Sequence, residues 1–293
     1  MSQIKDILAN FLQQCDISYP RQVCLDQPFQ AACYADAERR GLDMELLKKP
    51  IDVGIAIGSA AYEHLENQST RVFIAIWTGL LTYVDDVYES YSDGLNEFFE
   101  RFTHKQPQRY QVLDQIVTMI HELPQHWGIV GSNLILTAEM DFLTSTIIDN
   151  IIEGMEFQPL MAPGFPQFTR RMGGISRAYA IMVFPPELDL KSWIQVMPDF
   201  MHYINHVNDL LSFFKEELAG ETLNFVSMSA SANGITKVEA LRRLANKAAR
   251  CYERGSGLLR SSPDAWNAYR AFCVGYVGFH VLSVRYKLDQ LDL

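Results

Sequence analysis

A polar stripe interrupts an otherwise apolar segment near residue 210. In the sequence YINHVNDLLSFFKEE, Asn208, Ser212 and Glu216 recur at steps of four residues. On an α-helix a four-residue step turns ~400°, so these three oxygen-bearing side chains lie on one face in successive turns. Mg²⁺ takes oxygen ligands and keeps waters or substrate phosphates in its remaining positions. Lys215 adds a cation within reach of an anion held by such a metal.

Taken alone, this segment would equally suit an amphipathic helix with a solvated polar face. A second acidic cluster favours the metal hypothesis. After the apolar run 72–84 stand Asp85, Asp86 and Glu89, with Asp85 and Glu89 again four residues apart. Carboxylates directly after so apolar a helix are costly to bury unless a metal neutralises them.

The ordered combination of these motifs resembles the class I terpene cyclases. A D-D-x-x-D/E cluster is followed about 120 residues later by N-D-x-x-S-x-x-x-E, and then by an Arg-Tyr pair near the C-terminus. The fungal trichodiene-synthase-like branch is the most similar, because it has counterparts of Arg170 to Gly174, Val207 to Glu216 and Arg285-Tyr286. The resemblance extends from about residue 50 onward.

This resemblance implies a fold and a reaction. The fold is all-α, a single-domain helical bundle over residues 1–293 around a central apolar active-site cavity. The reaction is the Mg²⁺-dependent ionisation of a prenyl diphosphate, with about three Mg²⁺ ions clamping the leaving group. Because the similar cyclases are fungal sesquiterpene cyclases, the implied substrate is farnesyl diphosphate. Its carbocation would cyclise to a sesquiterpene hydrocarbon or alcohol, with release of diphosphate.

The resemblance also assigns roles to individual residues. Asp85 is expected to bind metal directly, with Asp86 and Glu89 as outer or occasional ligands; many relatives have a third aspartate where this chain has Glu89. The remaining metal ligands are expected to be Asn208, Ser212 and Glu216.

Cationic and hydroxyl donors are expected to complete the diphosphate site. Arg170, the first arginine of R-R-M-G-G, is the expected diphosphate sensor, and Gly174 lies at a helix break that points a carbonyl toward the substrate. The other expected diphosphate donors are Lys215, Arg285 and Tyr286. Without ligand, the like charges of Arg170, Lys215 and Arg285 are expected to repel one another.

Two further side-chain types could do chemistry. An aromatic face stabilises a nearby cation, and Phe73 and Trp77, upstream of the aspartates on the same predicted helix, are the predicted substrate-binding residues of the cavity. By pattern alone, most aromatic residues of the chain would be ordinary core. His202 and His206 have the spacing of zinc ligands, but no H-E-x-x-H glutamate accompanies them, which favours a packing role.

The elements that must position these residues are predicted to be helical, because helical periodicity dominates and period-2 alternation is scarce. Gly54 and Gly58 in the small apolar segment 51–67 are expected to permit close helix packing. The predicted helices are 1–20, 27–40, 70–91, 95–102, 109–123, 131–157, 168–184, 190–217, 237–259 and 263–288. Residues 42–50 are predicted as a short helix or turn and 159–166 as a linker, with breaks at Ser92-Asp93-Gly94 and Gly173-Gly174.

Composition narrows the function further. The net charge of −10 and pI near 5.2 argue against a protein that binds nucleic acid or an anionic membrane surface. No run approaches ~20 apolar residues, which predicts no membrane span. Five cysteines, Cys24 among them, form no C-x-x-C pair and indicate reduced thiols. With no secretory signal in the first residues, a cytoplasmic protein is expected, and a homodimer is one oligomeric state the sequence leaves open.

Two other functions are considered. A chain-elongating prenyltransferase of the same fold would need two D-D-x-x-D motifs, whereas this chain has one beside the N-D-x-x-S-x-x-x-E motif. A non-catalytic helical scaffold or binding protein predicts no dependence on Mg²⁺. Acyl transfer, nucleotide hydrolysis and hydride transfer have no support, since no G-x-S-x-G, Walker or G-x-G-x-x-G motif is present.

Overall fold

The computed structural model describes residues 2–19, 26–152, 154–221 and 224–291. Every regular element within these ranges is helical, which confirms the all-α prediction. The α-helices are α1 (Ser2–Gln14), α2 (Gln27–Arg39), α3 (Met44–Ala60), α4 (Gln68–Asp86), α5 (Tyr88–Thr103), α6 (Gln111–Ile151), α7 (Phe165–Gly173), α8 (Ser176–Met182), α9 (Met197–Ala219), α10 (Phe225–Asn233), α11 (Lys237–Leu259) and α12 (Pro263–Leu282). Short 3-10 segments are Leu190–Ser192, Ile194–Val196, Val284–Tyr286 and Leu288–Leu291.

The helices surround α4 and α9, the two that carry the acidic motifs. Helix α4 packs along α3, and α9 packs along α11 and α8. Helix α6 runs beside α8, while α12 closes the bundle against α3. The buried apolar side chains of these helices form one continuous cluster, and both motifs end at its polar edge. A single-domain organisation stays a prediction.

Glycines bring α3 and α4 unusually close together. A Cβ on Gly54 would lie 1.9 Å from the carbonyl oxygen of Ala75, and one on Gly79 would lie 2.9 Å from the Cα of Ile51. Neither neighbour is a side-chain end that could move aside, because both are backbone atoms. The predicted close packing at Gly54 is therefore confirmed, and it fixes α4 and its terminal aspartates against α3.

Two predicted boundaries are wrong. Helix α3 begins at Met44, where Asp43 caps the first turn by accepting a hydrogen bond from the Glu45 N–H at 2.9 Å. The helix then continues through Pro50. The predicted break at 92–94 lies inside α5. Gly94 is needed there for packing, since a Cβ would lie 2.5 Å from the Tyr110 ring.

Other boundaries differ in position. Helix α6 joins two predicted helices across a kink at Gly128 (φ 61°, ψ −172°), and it ends at Ile151 instead of Phe157. Helix α1 ends well before Pro20, which lies outside the described residues, as do Cys24 and Glu153. Helix α10 was not predicted. The break near Gly174 is confirmed, and α11 has the predicted bounds.

Two general predictions can be compared with the described residues. The cysteines at positions 15, 33, 251 and 273 are buried free thiols. Among the described residues, none of the helices is both long enough and apolar enough to cross a bilayer.

We expect Gly54→Ala to destabilise the protein by about 1–3 kcal/mol, because the added methyl must push two helix backbones apart. Gly257→Ala is the matched control, since this helical glycine of α11 has open space around its Cβ position and alanine favours the helix by roughly 0.5–1 kcal/mol. Urea unfolding of both variants would test this. Equal stability of the two variants would contradict the close α3–α4 contact.

Candidate active site

A cavity opens where α4, α7, α9 and the C-terminal 3-10 segment meet. Its inner part has a volume of about 240 Å³, and apolar walls are contributed by residues such as Leu81, Phe142 and Phe279. An outer space of about 730 Å³ adjoins it. The residues common to both spaces are Asp85, Arg170, Gly173, Asn208 and Glu216. The polar residues therefore lie at the boundary between an apolar interior and an open mouth.

The stripe on α9 lines this cavity as predicted. Asn208, Ser212, Lys215 and Glu216 all face it. Burial raises the pKa of Glu216, although the nearby Ser212 hydroxyl lowers it. Three oxygen-bearing side chains are thus presented to one space from successive turns of a single helix.

The end of α4 contributes Asp85 to the same cavity. Its side chain is open to the cavity space but is surrounded by protein, and this burial together with the negative Asp86 raises the pKa of Asp85 to about 6. Arg285 and Arg170 oppose the rise. Because burial disfavours the charged form of Asp85, a cation placed beside this carboxylate would stabilise it.

Asp86 and Glu89 do not join Asp85 on the cavity wall. Asp86 accepts two hydrogen bonds from the Arg285 guanidinium, both at 3.2 Å. Helix α4 ends at Asp86 and Val87 is non-helical (φ −124°, ψ 24°), so Glu89 lies in the first turn of α5. The expectation that Asp85 and Glu89 share a helix face is therefore wrong. Metal ligation by Asp86 and Glu89 stays a prediction.

Arg170 is the most heavily engaged cation of the site. Its Nε lies 2.7 Å from the Asp209 carboxylate, and its Nη2 donates to the Asn208 amide oxygen at 2.8 Å and to the Asn205 carbonyl at 3.3 Å. Burial raises the pKa of Asp209 to about 7, and Arg170 lowers it. Asp209 was not predicted as a site residue. Its position inside the N-D-x-x-S-x-x-x-E motif, between predicted metal ligands, is the signal that could have identified it.

The break between α7 and α8 exists because α9 passes directly against it. A Cβ on Gly174 would lie 2.2 Å from the Asn205 amide oxygen, so only glycine fits. Ile175 follows with a left-handed backbone (φ 43°), which is strained for a β-branched residue. The break brings Gly174 into the cavity wall beside Arg170. The role of its carbonyl toward a substrate stays a prediction.

Asn208 is held from its other side by the C-terminal region. Its Nδ2 lies 3.2 Å from the His280 Nε2, and the Nδ1 of that ring lies 2.7 Å from the Tyr276 carbonyl oxygen. The ring therefore donates through Nδ1 and accepts through Nε2, a neutral tautomer that suits the burial-lowered pKa of about 4. The Tyr286 ring packs against the same histidine, with the ring centroids 4.5 Å apart. His280 was not predicted, and no motif marks it.

Carboxylates lie beside all three cations and offset the repulsion expected among them. Arg170 pairs with Asp209 and Arg285 with Asp86, while the Lys215 ammonium lies 4.0 Å from the Glu221 carboxylate. Each cation has its own counter-ion on a neighbouring segment. The prediction of mutual repulsion did not include these partners, because sequence spacing does not reveal them.

Phe73 and Trp77 are not on the cavity wall. The residues of α4 that line the cavity are Thr78, Leu81, Thr82 and Asp85. At about 100° per residue, Phe73 and Trp77 point roughly 90–130° away from that stripe. Both are fully buried, Phe73 against Trp127 and Trp77 edge-on to Tyr179. Their prediction as wall residues is corrected, because α4 is buried on several faces and periodicity does not say which one meets the cavity.

The donor set suits a hard divalent cation. The oxygens of Asp85, Asn208, Ser212 and Glu216 line one cavity, and oxygen-only sets with few protein ligands are typical of Mg²⁺. Within the described ranges, no three His, Cys, Asp or Glu side chains gather into a cluster of their own. Two of these donors are an amide and a hydroxyl, and the carboxylates come from different helices.

His202 and His206 stack on each other, and His206 is buried beside Phe225.

The fold and this site define a class I terpene synthase. The structure is similar to that of linalool/nerolidol synthase from Streptomyces clavuligerus in complex with 2-fluorogeranyl diphosphate, with a TM-score of 0.68 at 16% identity over 92% of this chain and 99% of that chain. The trichodiene synthase (TRI5) family model matches residues 60–292, so the chain belongs to that family. The sequence-based identification is confirmed.

Two fungal relatives cover nearly the whole chain. The alpha-cuprenene synthase COP6 of Coprinopsis cinerea is 30% identical over 98% of this chain and 90% of its own length. The monoterpene synthase 25 of Postia placenta is 30% identical over 98% of this chain and 86% of its own length. Both are named as synthases of terpenes.

Asp85→Asn should melt at or above the wild type at pH 7 and lose at least about a hundredfold in activity. The pKa of Asp85 is raised from 3.8 to about 6, so ionisation costs stability as pH rises through that window. The melting difference between variant and wild type should therefore grow from pH 4 to about pH 7. A lower melting temperature at pH 7 combined with retained activity would contradict a functional role for this acid.

Proposed function

We propose that this protein is a Mg²⁺-dependent sesquiterpene cyclase. It ionises farnesyl diphosphate, cyclises the carbocation to a sesquiterpene hydrocarbon or alcohol, and releases diphosphate. The observation that carries the proposal is that Asp85 and the stripe of Asn208, Ser212 and Glu216 line one cavity from two helices, above an apolar interior. Family membership supports the reaction class.

Each part of the site has a task in this reaction. Asp85, Asn208, Ser212 and Glu216 would hold the metal, with about three ions expected from the resemblance. Bound Mg²⁺ would supply the positive charge that stabilises the departing diphosphate. The expected donors to the phosphate oxygens are Arg170, Lys215, Arg285 and Tyr286, all of which line the cavity together with the Gly174 break.

The apolar interior would do the rest. Side chains such as Leu81, Phe142 and Phe279 exclude water from the reactive cation, which would otherwise be quenched early. They also fold the prenyl chain, and the folded shape sets which carbons meet. The farnesyl chain length is a proposal that the alpha-cuprenene synthase relative supports and the monoterpene synthase relative does not.

We expect Asn208→Ala and Ser212→Ala each to reduce terpene formation from farnesyl diphosphate and Mg²⁺ by at least about a hundredfold, because each removes an oxygen ligand. Gas chromatography of the products of purified protein would measure this. Asn246→Ala and Ser231→Ala are matched controls, since both side chains are exposed on α11 and α10. Wild-type turnover in both site variants would remove the metal assignment.

The same assay separates the candidate functions. Cyclic or branched C15 products from farnesyl diphosphate alone support the proposal, whereas longer linear diphosphates formed with isopentenyl diphosphate would indicate a chain-elongating prenyltransferase. Products formed only from geranyl diphosphate would show that the substrate is this shorter prenyl diphosphate. Turnover that does not depend on Mg²⁺ would contradict the metal-dependent mechanism.

Ligand binding should be cooperative between Mg²⁺ and pyrophosphate. Each cation is paired with a carboxylate in the structure, so an anion must draw Arg170, Lys215 and Arg285 away from their partners. We expect Mg²⁺ with pyrophosphate at ~100 times the dissociation constant to add about 2.7 kcal/mol to stability, and either component alone to add much less. Thermal melting would measure the three shifts.

Arg285→Ala should diminish the combined shift, whereas Lys191→Ala, which removes an exposed lysine of the Leu190–Ser192 segment, should leave it unchanged. A full combined shift in Arg285→Ala, or equal shifts from Mg²⁺ and from pyrophosphate alone, would count against a shared clamp.

A further inference from the structure

The side chain of Asn208 can serve a metal ion with only one of its two ends. Its amide carries an oxygen, which can bind Mg²⁺, and an NH2 group, which has no acceptor capacity and cannot. The two ends are similar in size and shape, so a half-turn about the last side-chain bond would exchange them. The proposed metal site therefore needs a contact that fixes which end of the amide faces the cavity.

His280 of α12 makes such a contact on the side of the nitrogen. Its Nδ1 lies 2.7 Å from the Tyr276 carbonyl oxygen, one turn earlier on the same helix, and a carbonyl only accepts, so Nδ1 carries a proton. The Nε2 of the neutral ring is then an acceptor, and it lies 3.2 Å from the Asn208 Nδ2. A reversed amide would place its oxygen against this lone pair, and the two acceptors would repel each other.

The oxygen of the same amide meets a donor on its other side. The Arg170 Nη2 donates to the Asn208 Oδ1 at 2.8 Å. The hydrogen bonds therefore form a chain with one direction, which runs from the guanidinium through the amide and the imidazole to the Tyr276 carbonyl. Reversal of the amide would set two donors against each other at Arg170 and two acceptors against each other at His280. Both neighbours thus select the same orientation of Asn208.

The two neighbours differ in what a ligand would do to them. Arg170 lines both cavity spaces, and in the proposed function a diphosphate draws it away from Asn208. His280 is 0% exposed and lies behind the wall. Three aromatic rings surround the imidazole with centroids 4.5 to 4.9 Å away, those of Tyr276, Phe279 and Tyr286. The contact of His280 with Asn208 would therefore persist after Arg170 has turned to the phosphate oxygens.

We propose that His280 is a positioning residue of the metal site: it holds the nitrogen of Asn208 and so keeps the amide oxygen turned toward the cavity while Mg²⁺ and diphosphate bind. The inference rests on the proposed function and adds to it a residue that no sequence motif marks. In this role His280 touches neither metal nor substrate. It acts through Asn208, which lies 72 residues away in the sequence and on another helix.

A packing role for His280 predicts the opposite ranking of two substitutions. His280→Phe keeps a planar ring among the three aromatic side chains, but it has no acceptor for the Asn208 nitrogen. His280→Gln gives up the ring, but its amide oxygen reaches the position of Nε2 and can still accept a hydrogen bond. If the ring served packing alone, His280→Gln would be the more damaging change. If the ring positions Asn208, His280→Phe is the more damaging change.

A third variant separates the lost acceptor from the larger ring of phenylalanine. The side chain of His280→Asn can still donate to the Tyr276 carbonyl, but it is too short to reach Asn208. It should therefore behave like His280→Phe, although the two replacements differ in size and polarity. Agreement between these two variants, with His280→Gln close to the wild type, would assign the effect to the hydrogen bond with Asn208.

The main measurement does not depend on turnover. Thermal melting with pyrophosphate at a fixed concentration and increasing Mg²⁺ gives the Mg²⁺ concentration that produces half of the full stabilisation. His280→Phe and His280→Asn should raise this concentration about 10–100-fold, the range in which loss of a metal ligand's hydrogen-bond partner lowers metal affinity. His280→Gln should stay within about threefold of the wild type, because the acceptor is retained. The Mg²⁺ dependence of farnesyl diphosphate turnover should shift by the same factors.

His64→Phe is the matched control. The Nε2 of this histidine lies 2.9 Å from the Val183 carbonyl oxygen, in the connection between α3 and α4, so the substitution removes a histidine hydrogen bond away from the metal site. The Mg²⁺ requirement of His64→Phe should equal that of the wild type.

A wild-type Mg²⁺ requirement in His280→Phe and His280→Asn, or a requirement raised as far in His280→Gln, would overturn the inference. Should His280→Phe fail to fold, His280→Asn compared with His280→Gln decides the same question. A wild type that Mg²⁺ with pyrophosphate stabilises but that forms no terpene overturns the proposed reaction, while the melting comparison still decides the role of His280. A wild type that Mg²⁺ with pyrophosphate does not stabilise overturns the inference as well.

Discussion

The ion pair between Arg170 and Asp209 is the interaction on which the site depends. A guanidinium and a carboxylate removed from bulk water must compensate each other, and their 2.7 Å contact joins the end of α7 to the middle of α9. That contact requires the two helices to approach closely, so the chain breaks at Gly174, where a side chain would strike Asn205. The same approach places Arg170 on the amide oxygen of Asn208, so the pair also sets the orientation of a proposed metal ligand.

The proposed function requires a strongly acidic chain to bind a polyanion. The net charge is −10, and the cations of the mouth are matched with carboxylates in the ligand-free structure. A diphosphate alone would exchange one set of anionic partners for another and gain little. In the proposed mechanism, Mg²⁺ would change the balance, because it would neutralise Asp85 and Glu216 and so add positive charge at the mouth that favours phosphate oxygens. On the proposed function, metal and diphosphate together are therefore expected to bind more tightly than either binds alone.

How much of this could be predicted varies with the kind of signal. The α9 stripe and the break near Gly174 follow from local spacing, and the bounds of α11 follow from its periodicity and its Thr236 cap. The break predicted at Gly94 is wrong because this glycine makes room for the Tyr110 ring and does not form a turn. That ring belongs to another segment of the chain, so local sequence does not reveal the contact. Phe73 and Trp77 were assigned to the wrong face because α4 is apolar on most sides. Asp209 and His280 act through partners 39 and 72 residues away, at Arg170 and Asn208, which no local pattern contains.

These differences follow the division of labour within the cavity. The mouth would bind charged ligands, so it is built from polar and ionisable residues in short motifs. Such motifs can be recognised in a sequence. The floor has to give a carbocation one shape, so it is built from ordinary core residues whose role depends on contacts such as that of Trp77 with Tyr179. Motifs at the mouth therefore identify the class of reaction, whereas the product of the proposed cyclisation would depend on how the apolar interior is packed. Relatives of one family named for alpha-cuprenene and for monoterpenes are what such a division would produce.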